Sequence, residues 1–271
     1  MSNFVKINKS IVLRFEDREI ELPKEIKENI AIFWEKAIRD NPNLYNGLDY
    51  TVESVNENDE RIEFTVVKSN YAHYLYNERV GIENKNCRCC SPWSGILLVT
   101  KDDYFVVGRM DKTTSIPGGL QISGGGVDSK DIKNGIIDIE STIKRELREE
   151  VNLNLDIIDY ELKFIEYPDE KRNAYGFLAV GRVDMTKDEL ERYFEEYKKY
   201  LIENKLEVEF DKLVFLAKEN ALEELDKLQN YKRPYLRDLI KTAMAWNDIF
   251  NQNFYLLLIL RSNVSINILL K

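Results

Sequence analysis

The sequence predicts a layered α/β or α+β protein. Segments in which polar and apolar residues alternate are typical of strands, and segments with an apolar residue every three or four positions are typical of helices. The two kinds interleave along the chain, which favours mixed layers over an all-helical or all-β fold. The chain has 271 residues, of which 44% are hydrophobic and 32% charged, so it can bury a large core.

Residues 1–86 predict a small α+β unit. The segments SIVLRF and REIEL are typical of strands paired across a turn at Glu16-Asp17, and DYTVESV and RIEFTVV of strands paired around the polar turn NENDE. Between these pairs, residues 23–42 predict a helix with Pro23 at its start. Its apolar positions are Ile26, Ile30, Phe33, Trp34 and Ala37.

Residues 87–230 predict a second, larger unit. It begins with a hairpin, SGILLVT and YFVVGRM, and a Gly-rich loop then leads to a helix from about Ile132 to Val151. Two strand-like segments follow, YELKFIEY and AYGFLAVGRV. A charged helix then runs from Thr186 to about Asn204, and Thr186 and Glu189 form a capping box at its start. The strand KLVFLA and the helix NALEELDKL follow.

Residues 231–271 predict a mostly helical segment packed on the core. Its apolar run FYLLLIL (254–260) is too short to span a bilayer and predicts a buried strand or the end of a core helix. The N-terminal stretch lacks the apolar run of a signal peptide, so we expect a cytoplasmic protein without a membrane partner. The net charge of −9 argues against nucleic acid as the main partner. The oligomeric state, monomer or homodimer, stays open.

Three cysteines cluster at Cys87, Cys89 and Cys90. An odd, clustered set does not predict a disulfide framework, and reduced thiols near the start of a strand are the simpler interpretation. Zinc would need a fourth ligand, for which His73 is the only histidine in the chain.

The segment RELREEVNL (145–153) places three glutamates on a helix whose apolar stripe lies mostly on another side. Glu146, Glu149 and Glu150 span an arc of about 100°. Like charges at this spacing repel, so the cluster costs stability unless a cation lies against it. Oxygen ligands suit Mg²⁺ or Mn²⁺, and the preceding SGGGVD allows a backbone carbonyl to approach the same ion. A solvated charged face is the alternative.

These residues resemble the Nudix hydrolase signature, in which a Gly-Gly loop precedes a helix with Arg-Glu-aliphatic-x-Glu-Glu-x-Gly-aliphatic. The second half fits from Arg145 to Leu153, with Asn152 in place of the closing glycine. In the first half, the upstream acid would be Asp131, which leaves thirteen residues before Arg145 where the family has seven. Either a six-residue insertion lengthens this region, or Asp138 or Glu140 takes over the role.

The resemblance implies an α/β/α sandwich with a mixed sheet, preceded by a smaller α+β extension. It implies Mg²⁺-dependent hydrolysis of a nucleoside diphosphate derivative by metal-activated water, with Mn²⁺ as a possible substitute. Three segments (33–47, 108–128 and 148–155) resemble the UDP-glucose/UDP-galactose pyrophosphatase branch, which implies a UDP-sugar cleaved to UMP and sugar 1-phosphate.

The resemblance also implies roles for individual residues. The metal ligands would be Glu146, Glu149, Glu150 and the carbonyl of Gly124, with Arg145 orienting Glu146. A general base would come from a later loop, with Glu209 the first candidate and Glu207 the second. The alternative is that both are ordinary polar residues at the edge of a strand, without a catalytic role. Candidates to bind the substrate phosphates are Arg109, Lys112 and, more weakly, Arg79. Tyr71, Tyr74 and Tyr76 either stack on a base or pack the junction between the two units.

Two other functions stay open at this point. A non-catalytic protein that senses a nucleotide sugar on the same scaffold would explain the altered first half of the signature. An isomerase of prenyl diphosphates would need a cysteine-containing motif, and the cysteine cluster precedes the domain's first hairpin.

Overall fold

Two mixed β-sheets form the framework of the protein. A computed structural model describes residues 4–114, 116–169 and 172–244. The apolar segment at 254–260 lies outside these residues, as does the rest of the predicted helical segment after residue 244. None of the helices in the described ranges is long and apolar enough to cross a bilayer.

The larger sheet has eight strands. Its main path runs β1-β11-β12-β5-β6-β13, with β7 paired to β6 and β8 paired to β5. Among these described strands, only the β12–β5 pairing is parallel. The strands are β1 (Phe4–Lys6), β5 (Ser91–Val99), β6 (Tyr104–Met110), β7 (Leu120–Gln121), β8 (Ser123–Gly126), β11 (Asp159–Glu166), β12 (Ala174–Arg182) and β13 (Phe210–Ala217).

The smaller sheet has five strands in the order β3-β4-β2-β10-β9, with β2 and β4 parallel. They are β2 (Ser10–Glu19), β3 (Leu48–Glu57), β4 (Arg61–Asn70), β9 (Ile132–Lys133) and β10 (Ile136–Ile137). The helices are α1 (Lys24–Asp40), α2 (Tyr71–Arg79), α3 (Ile139–Val151), α4 (Lys187–Glu203), α5 (Ala221–Lys227) and α6, which covers residues 236–244.

Helices cover both faces of the larger sheet. On one face, Leu147 of α3 and Phe194 of α4 pack with the β5 side chain of Ile96. On the other, Leu225 of α5 and Leu239 of α6 share a buried cluster with β-strand residues. Alternate side chains of a strand point to opposite faces, so both layers are anchored on the same strands. This arrangement confirms the predicted mixed α/β class.

Strand pairing crosses the predicted boundary at residue 86. The N-terminal β1 pairs with β11 of the larger sheet, and the β9–β10 hairpin extends the smaller sheet by pairing with β2. Phe64 of the smaller sheet also packs edge-on against Phe177 of the larger one, with ring centroids 5.1 Å apart. The division at 86/87 stays a prediction, but each sheet contains strands from both sides of it.

Two sequence predictions are wrong in detail. The expected turn at Glu16-Asp17 is absent. Ser10–Glu19 forms one continuous strand, whose register against β4 shifts between Glu16 and Glu19. The parallel pairing with β4 continues on both sides of this irregularity, so the strand accommodates Glu16 and Asp17 without a turn. The helix predicted from Ile132 begins instead at Ile139.

Residues 132–137 form a hairpin rather than a helical extension. Asn134 and Gly135 have φ values of 52° and 74°, the left-handed conformation that a tight two-residue hairpin turn requires. Asp138 then caps α3 by accepting a hydrogen bond from the backbone N–H of Ser141. The other elements predicted within the described residues are present, including the α4 capping box formed by Thr186 and Glu189.

Candidate metal centre and adjoining cavity

Three carboxylates converge beside the Gly-rich strand β8. Glu146 and Glu150 lie one turn apart on α3 and are buried, and Glu209 lies just before β13. One oxygen from each lies within 4.8 Å of the others. The apolar stripe of α3 fixes this arrangement because Ile143, Leu147 and Val151 are almost completely buried in the core on the other side.

Two glycines of β8 contact these carboxylates. Gly124 has a φ of 154°, and its N–H donates a hydrogen bond of 2.9 Å to Glu150 Oε2. A Cβ on Gly125 would lie 2.6 Å from Cδ of Glu146. The observed contact of Gly124 is thus its N–H, and the metal-ligand role of its carbonyl stays a prediction.

The carboxylates are held in an environment that disfavours their charged forms. Burial, together with repulsion from Glu209 and Glu149, raises the pKa of Glu146 to about 7 against the attraction of Arg145. Burial and repulsion from Glu209 raise the pKa of Glu150 well above its ordinary value. The pKa of Glu209 is also raised, by burial and by repulsion from Glu207 and Glu149.

Arg145 ties the cluster to an upstream acid. Its Nη1 lies 2.5 Å from Glu146 Oε1, and its Nη2 donates to Asp131 Oδ2 at 3.2 Å and to the Gly126 carbonyl at 2.9 Å. Asp131 is 2% exposed and also accepts a hydrogen bond from Thr142. Of the three acids considered from the sequence, Asp131 therefore contacts Arg145, whereas Asp138 caps the helix.

The other predicted glutamates lie at the edge of this group. The Glu149 side chain is 61% exposed and lies 3.4 Å from Arg145 Nη1, and it does not belong to the converging set. Glu207 is exposed and acts on the site through its charge on Glu209. Their metal and catalytic roles stay predictions.

A cavity of about 440 Å³ adjoins the carboxylates. Gly124, Gly125, Gly126 and Glu209 form one part of its wall, so it opens directly onto the cluster. The remaining wall carries aromatic and charged side chains from strands of both sheets, from α2 and from the segments before β12 and α6. They include Trp93, Tyr71, Tyr74, Tyr235, Asp49, Glu78, Arg172 and Arg233.

The three cationic residues predicted to bind phosphate do not line this cavity. Arg109 forms a two-pronged ion pair with Asp211, at 2.7 Å for each contact. Lys112 is exposed, and Arg79 lines a separate concavity beside Arg88. Tyr71 and Tyr74 stack on each other in the cavity wall, whereas Tyr76 packs edge-on against Phe33 of α1.

Sequence reasoning did not identify Arg172 and Arg233. Arg172 precedes β12, and the parallel pairing of β12 with β5 brings it beside Trp93. Arg233 reaches the cavity because its backbone N–H bonds to the carbonyl of Leu120, next to the Gly-rich loop. Neither residue has a local sequence signal, because both positions depend on pairing between distant segments.

The cysteine cluster is separate from the carboxylates. All three cysteines are free and buried, and burial raises the pKa of Cys89 to about 12 and that of Cys90 to about 11. Both ring nitrogens of His73 are occupied, one by Ser69 and the other by the Cys87 carbonyl, at 2.9 Å each. The geometry favours reduced thiols, and among the described residues the group with metal-ligand spacing contains only glutamates.

The donor set fits a hard divalent cation. Glu150 Oε1 is buried and has no hydrogen-bond donor within the described ranges. Three carboxylates that repel one another around this oxygen would be stabilised by a cation such as Mg²⁺ or Mn²⁺, which prefer oxygen ligands. Glu146 and Glu150 are the residues that would hold it, with Glu209 beside them.

No family model and no curated protein matches the chain. Solved structures with a similar fold include a Nudix hydrolase from Alicyclobacillus acidocaldarius, which is 12% identical, with 58% of this chain and 91% of the other covered and a TM-score of 0.42. The NUDIX domain of Shewanella oneidensis NrtR, complexed with ADP ribose, is 12% identical, with coverages of 67% and 99% and a TM-score of 0.38.

A C. elegans Ap4A hydrolase in a binary complex is 14% identical, with coverages of 59% and 99% and a TM-score of 0.38. The structural neighbours thus include Nudix hydrolases at low identity, and they favour no particular branch. At these identities and TM-scores the likeness supports no argument about activity, so the functional conclusion depends on the site's own residues.

Proposed function

We propose that the protein is a Mg²⁺-dependent pyrophosphohydrolase that cleaves a nucleoside diphosphate derivative. The observation that carries this proposal is the convergence of Glu146, Glu150 and Glu209 within 4.8 Å, with a buried Glu150 oxygen that lacks a donor among the described residues. An adjoining cavity of about 440 Å³ is in the size range of small-molecule sites.

Each residue of the site has a distinct role in this proposal. Glu146 and Glu150 hold the cation, which when bound would neutralise charge on the diphosphate and favour attack by water. Arg145 and Asp131 keep the Glu146 carboxylate turned toward the glycine strand. Glu209 lines the cavity and is less buried than Glu150, which suits a residue that accepts a proton from the attacking water.

A UDP-sugar is the first candidate substrate, cleaved to UMP and sugar 1-phosphate. Support comes from the sequence segments 33–47, 108–128 and 148–155, which resemble the UDP-glucose/UDP-galactose pyrophosphatase branch. The middle segment contributes Gly124, Gly125 and Gly126 to the cavity wall, and Met110 from the same segment also lines it. Aromatic rings in that wall offer surfaces on which a base can stack.

A substrate panel tests the proposal. The protein is incubated with UDP-glucose, UDP-galactose, ADP-ribose, NADH and dinucleoside polyphosphates, in Mg²⁺ and separately in Mn²⁺, and products are separated by chromatography. We expect metal-dependent cleavage of at least one compound, with UMP and sugar 1-phosphate from the UDP-sugars. EDTA should stop the reaction. Folded protein that cleaves none of them would contradict the proposal.

The same panel separates the enzyme from a nucleotide-sugar sensor. A sensor would show thermal stabilisation by a nucleotide sugar without any product. A sensor would explain the altered first half of the signature, but Asp131 contacts Arg145 despite the intervening hairpin. The geometry therefore favours the enzyme.

A further inference from the structure

The guanidinium of Arg172 is fixed inside the cavity by three neighbours. Its Cζ lies 4.4 Å from the ring centroid of Trp93 and 4.6 Å from that of Tyr235. The third neighbour is Glu166, whose Oε2 lies 3.4 Å from Nη1. A cation held against two aromatic faces keeps its charge and loses most of its freedom to rotate.

Arg172 nevertheless has unused hydrogen-bonding capacity. A guanidinium carries five N–H donors. Nη1 is buried and makes no hydrogen bond with any described residue, because its contact with Glu166 is an ion pair without hydrogen-bond geometry. The side chain is 20% exposed and lines the cavity, so the guanidinium borders the space where a ligand would bind.

Arg233 adds a second positive charge to the same wall. Its Nε donates to Gln121 Oε1 at 3.2 Å, which orients the side chain beside the Gly-rich loop. It lines the same cavity as Glu209 of the carboxylate cluster and Tyr74 of the aromatic part of the wall. Arg233 thus shares the cavity wall with one of the three carboxylates of the proposed metal centre.

We infer that Arg172 and Arg233 form an anion-binding wall that receives the phosphate oxygens of the substrate. The inference rests on the proposed function and identifies the residues that hold its diphosphate. A chain with net charge −9, whose cavity also contains Asp49 and Glu78, needs local cations to attract an anionic ligand. Arginine suits this purpose because its planar fork matches phosphate oxygens.

Glu166 is the positioning residue for this wall. It is buried, and it accepts a hydrogen bond of 3.2 Å from Trp93 Nε1 while it pairs with Arg172. It therefore joins the guanidinium to one of the two rings on which the guanidinium lies. Glu166 does not line the cavity, so its influence on a ligand passes through Arg172.

The test measures binding of UDP and uridine by isothermal titration calorimetry in EDTA, without any metal. We expect Arg172→Met to weaken UDP binding by about 10- to 100-fold, the cost of one charge-assisted contact, and to leave uridine binding unchanged. Arg233→Met should have a similar effect. Arg172→Lys should fall between Arg172→Met and the wild type because it keeps the charge without the stacked plane.

The matched control is Arg39→Met, an exposed arginine of α1 outside the cavity, which should bind UDP like the wild type. Introduced alone, Glu166→Gln should weaken UDP binding by about 3- to 10-fold. Added to the Arg172→Met variant, it should have no further effect on UDP binding. A purely structural role for Glu166 would not produce this coupling. Circular dichroism confirms that each variant is folded.

The outcomes separate this inference from the proposed function. If the wild type cleaves a substrate and Arg172→Met and Arg233→Met bind UDP like the wild type, the inference is wrong and the proposed function stands. If UDP binding depends on both arginines but no substrate is cleaved, the anion-binding wall stands and the hydrolase does not. Equal losses for UDP and uridine would also overturn the inference, since uridine carries no phosphate.

Discussion

The carboxylate of Glu146 occupies the space beside Gly125 in which any other residue would carry its Cβ. A methyl group there would lie 2.6 Å from Cδ of Glu146, so Gly125→Ala should push the carboxylate out of the converging set. We expect at least about a 10-fold loss of Mg²⁺-dependent hydrolysis. The free energy of unfolding should change by about 1 kcal/mol or less, because the displaced group is the end of a flexible side chain.

The neighbouring glycine provides the control for this substitution. A Cβ on Gly126 would meet nothing within 4 Å, so Gly126→Ala should leave Glu146 in place and lose less activity than Gly125→Ala. Hydrolysis rates at several Mg²⁺ concentrations and urea denaturation of both variants measure the two effects. Equal activities for the two alanine variants would show that the Glu146 position is not required.

The two adjacent glutamates of α3 should differ sharply in their importance. Glu150 is 2% exposed and belongs to the converging set, whereas the Glu149 side chain is 61% exposed and pairs with Arg145. We expect Glu150→Gln to reduce hydrolysis by about 100-fold or more and to weaken Mg²⁺ binding. Glu149→Gln should have the smaller effect in the same assays. The reverse order would contradict the assignment of the converging set.

Local patterns in the sequence predicted the elements that carry the proposed metal centre. The stripe of Ile143, Leu147 and Val151 fixes which side of α3 is buried, and the glutamates follow from helical geometry. The conformation of Asn152, with a φ of 56°, is the left-handed one expected where the signature has glycine. These features depend on neighbours a few residues apart, which a single sequence displays.

Features that depend on distant pairing were not predicted. The predicted helix starts too early because the Asn134-Gly135 turn directs residues 132–137 into the smaller sheet. Arg172 was overlooked because only the parallel pairing of β12 with β5 brings it to Trp93. Arg109 was proposed for phosphate, but the antiparallel register of β6 and β13 places it beside Asp211.

Asp131 should matter for activity, and Asp138 for stability. Asp131 accepts hydrogen bonds from Arg145 Nη2 and from Thr142, and Arg145 in turn contacts Glu146. Because Asp131→Asn removes the charge that anchors Arg145, we expect about a 10-fold loss of hydrolysis. Asp138→Ala removes the helix cap, which should cost about 1 kcal/mol of stability and leave the rate nearly unchanged.

Steady-state kinetics and thermal denaturation of these two variants separate the roles. If Asp138→Ala lost activity while Asp131→Asn kept it, Asp138 would hold the role of the upstream acid. A loss in both variants that parallels their stability would indicate that neither carboxylate acts on the site through Arg145.

Glu166 should make the protein less stable as the pH rises through the weakly acidic range. Burial raises its pKa to about 7 from the ordinary value of 4.5, against the attraction of Arg172 and Arg233 and with repulsion from Asp169. Between these two values, the folded protein keeps a proton that the unfolded chain has lost. The stabilisation from this proton is therefore fully present below pH 4.5 and is lost as the pH approaches 7.

Glu166→Gln removes this titration while keeping the size of the side chain. The free energy of unfolding of the variant relative to the wild type should therefore increase by about 3 kcal/mol between pH 4.5 and pH 7.5. Urea denaturation across this range in EDTA measures the difference, in which the titration of Glu146, Glu150 and Glu209 cancels because those groups are common to both proteins. If the free energy of unfolding varied with pH in the same way for both proteins, Glu166 would already be ionised at pH 5. The attraction of Arg172 would then offset the whole effect of burial on the pKa of Glu166.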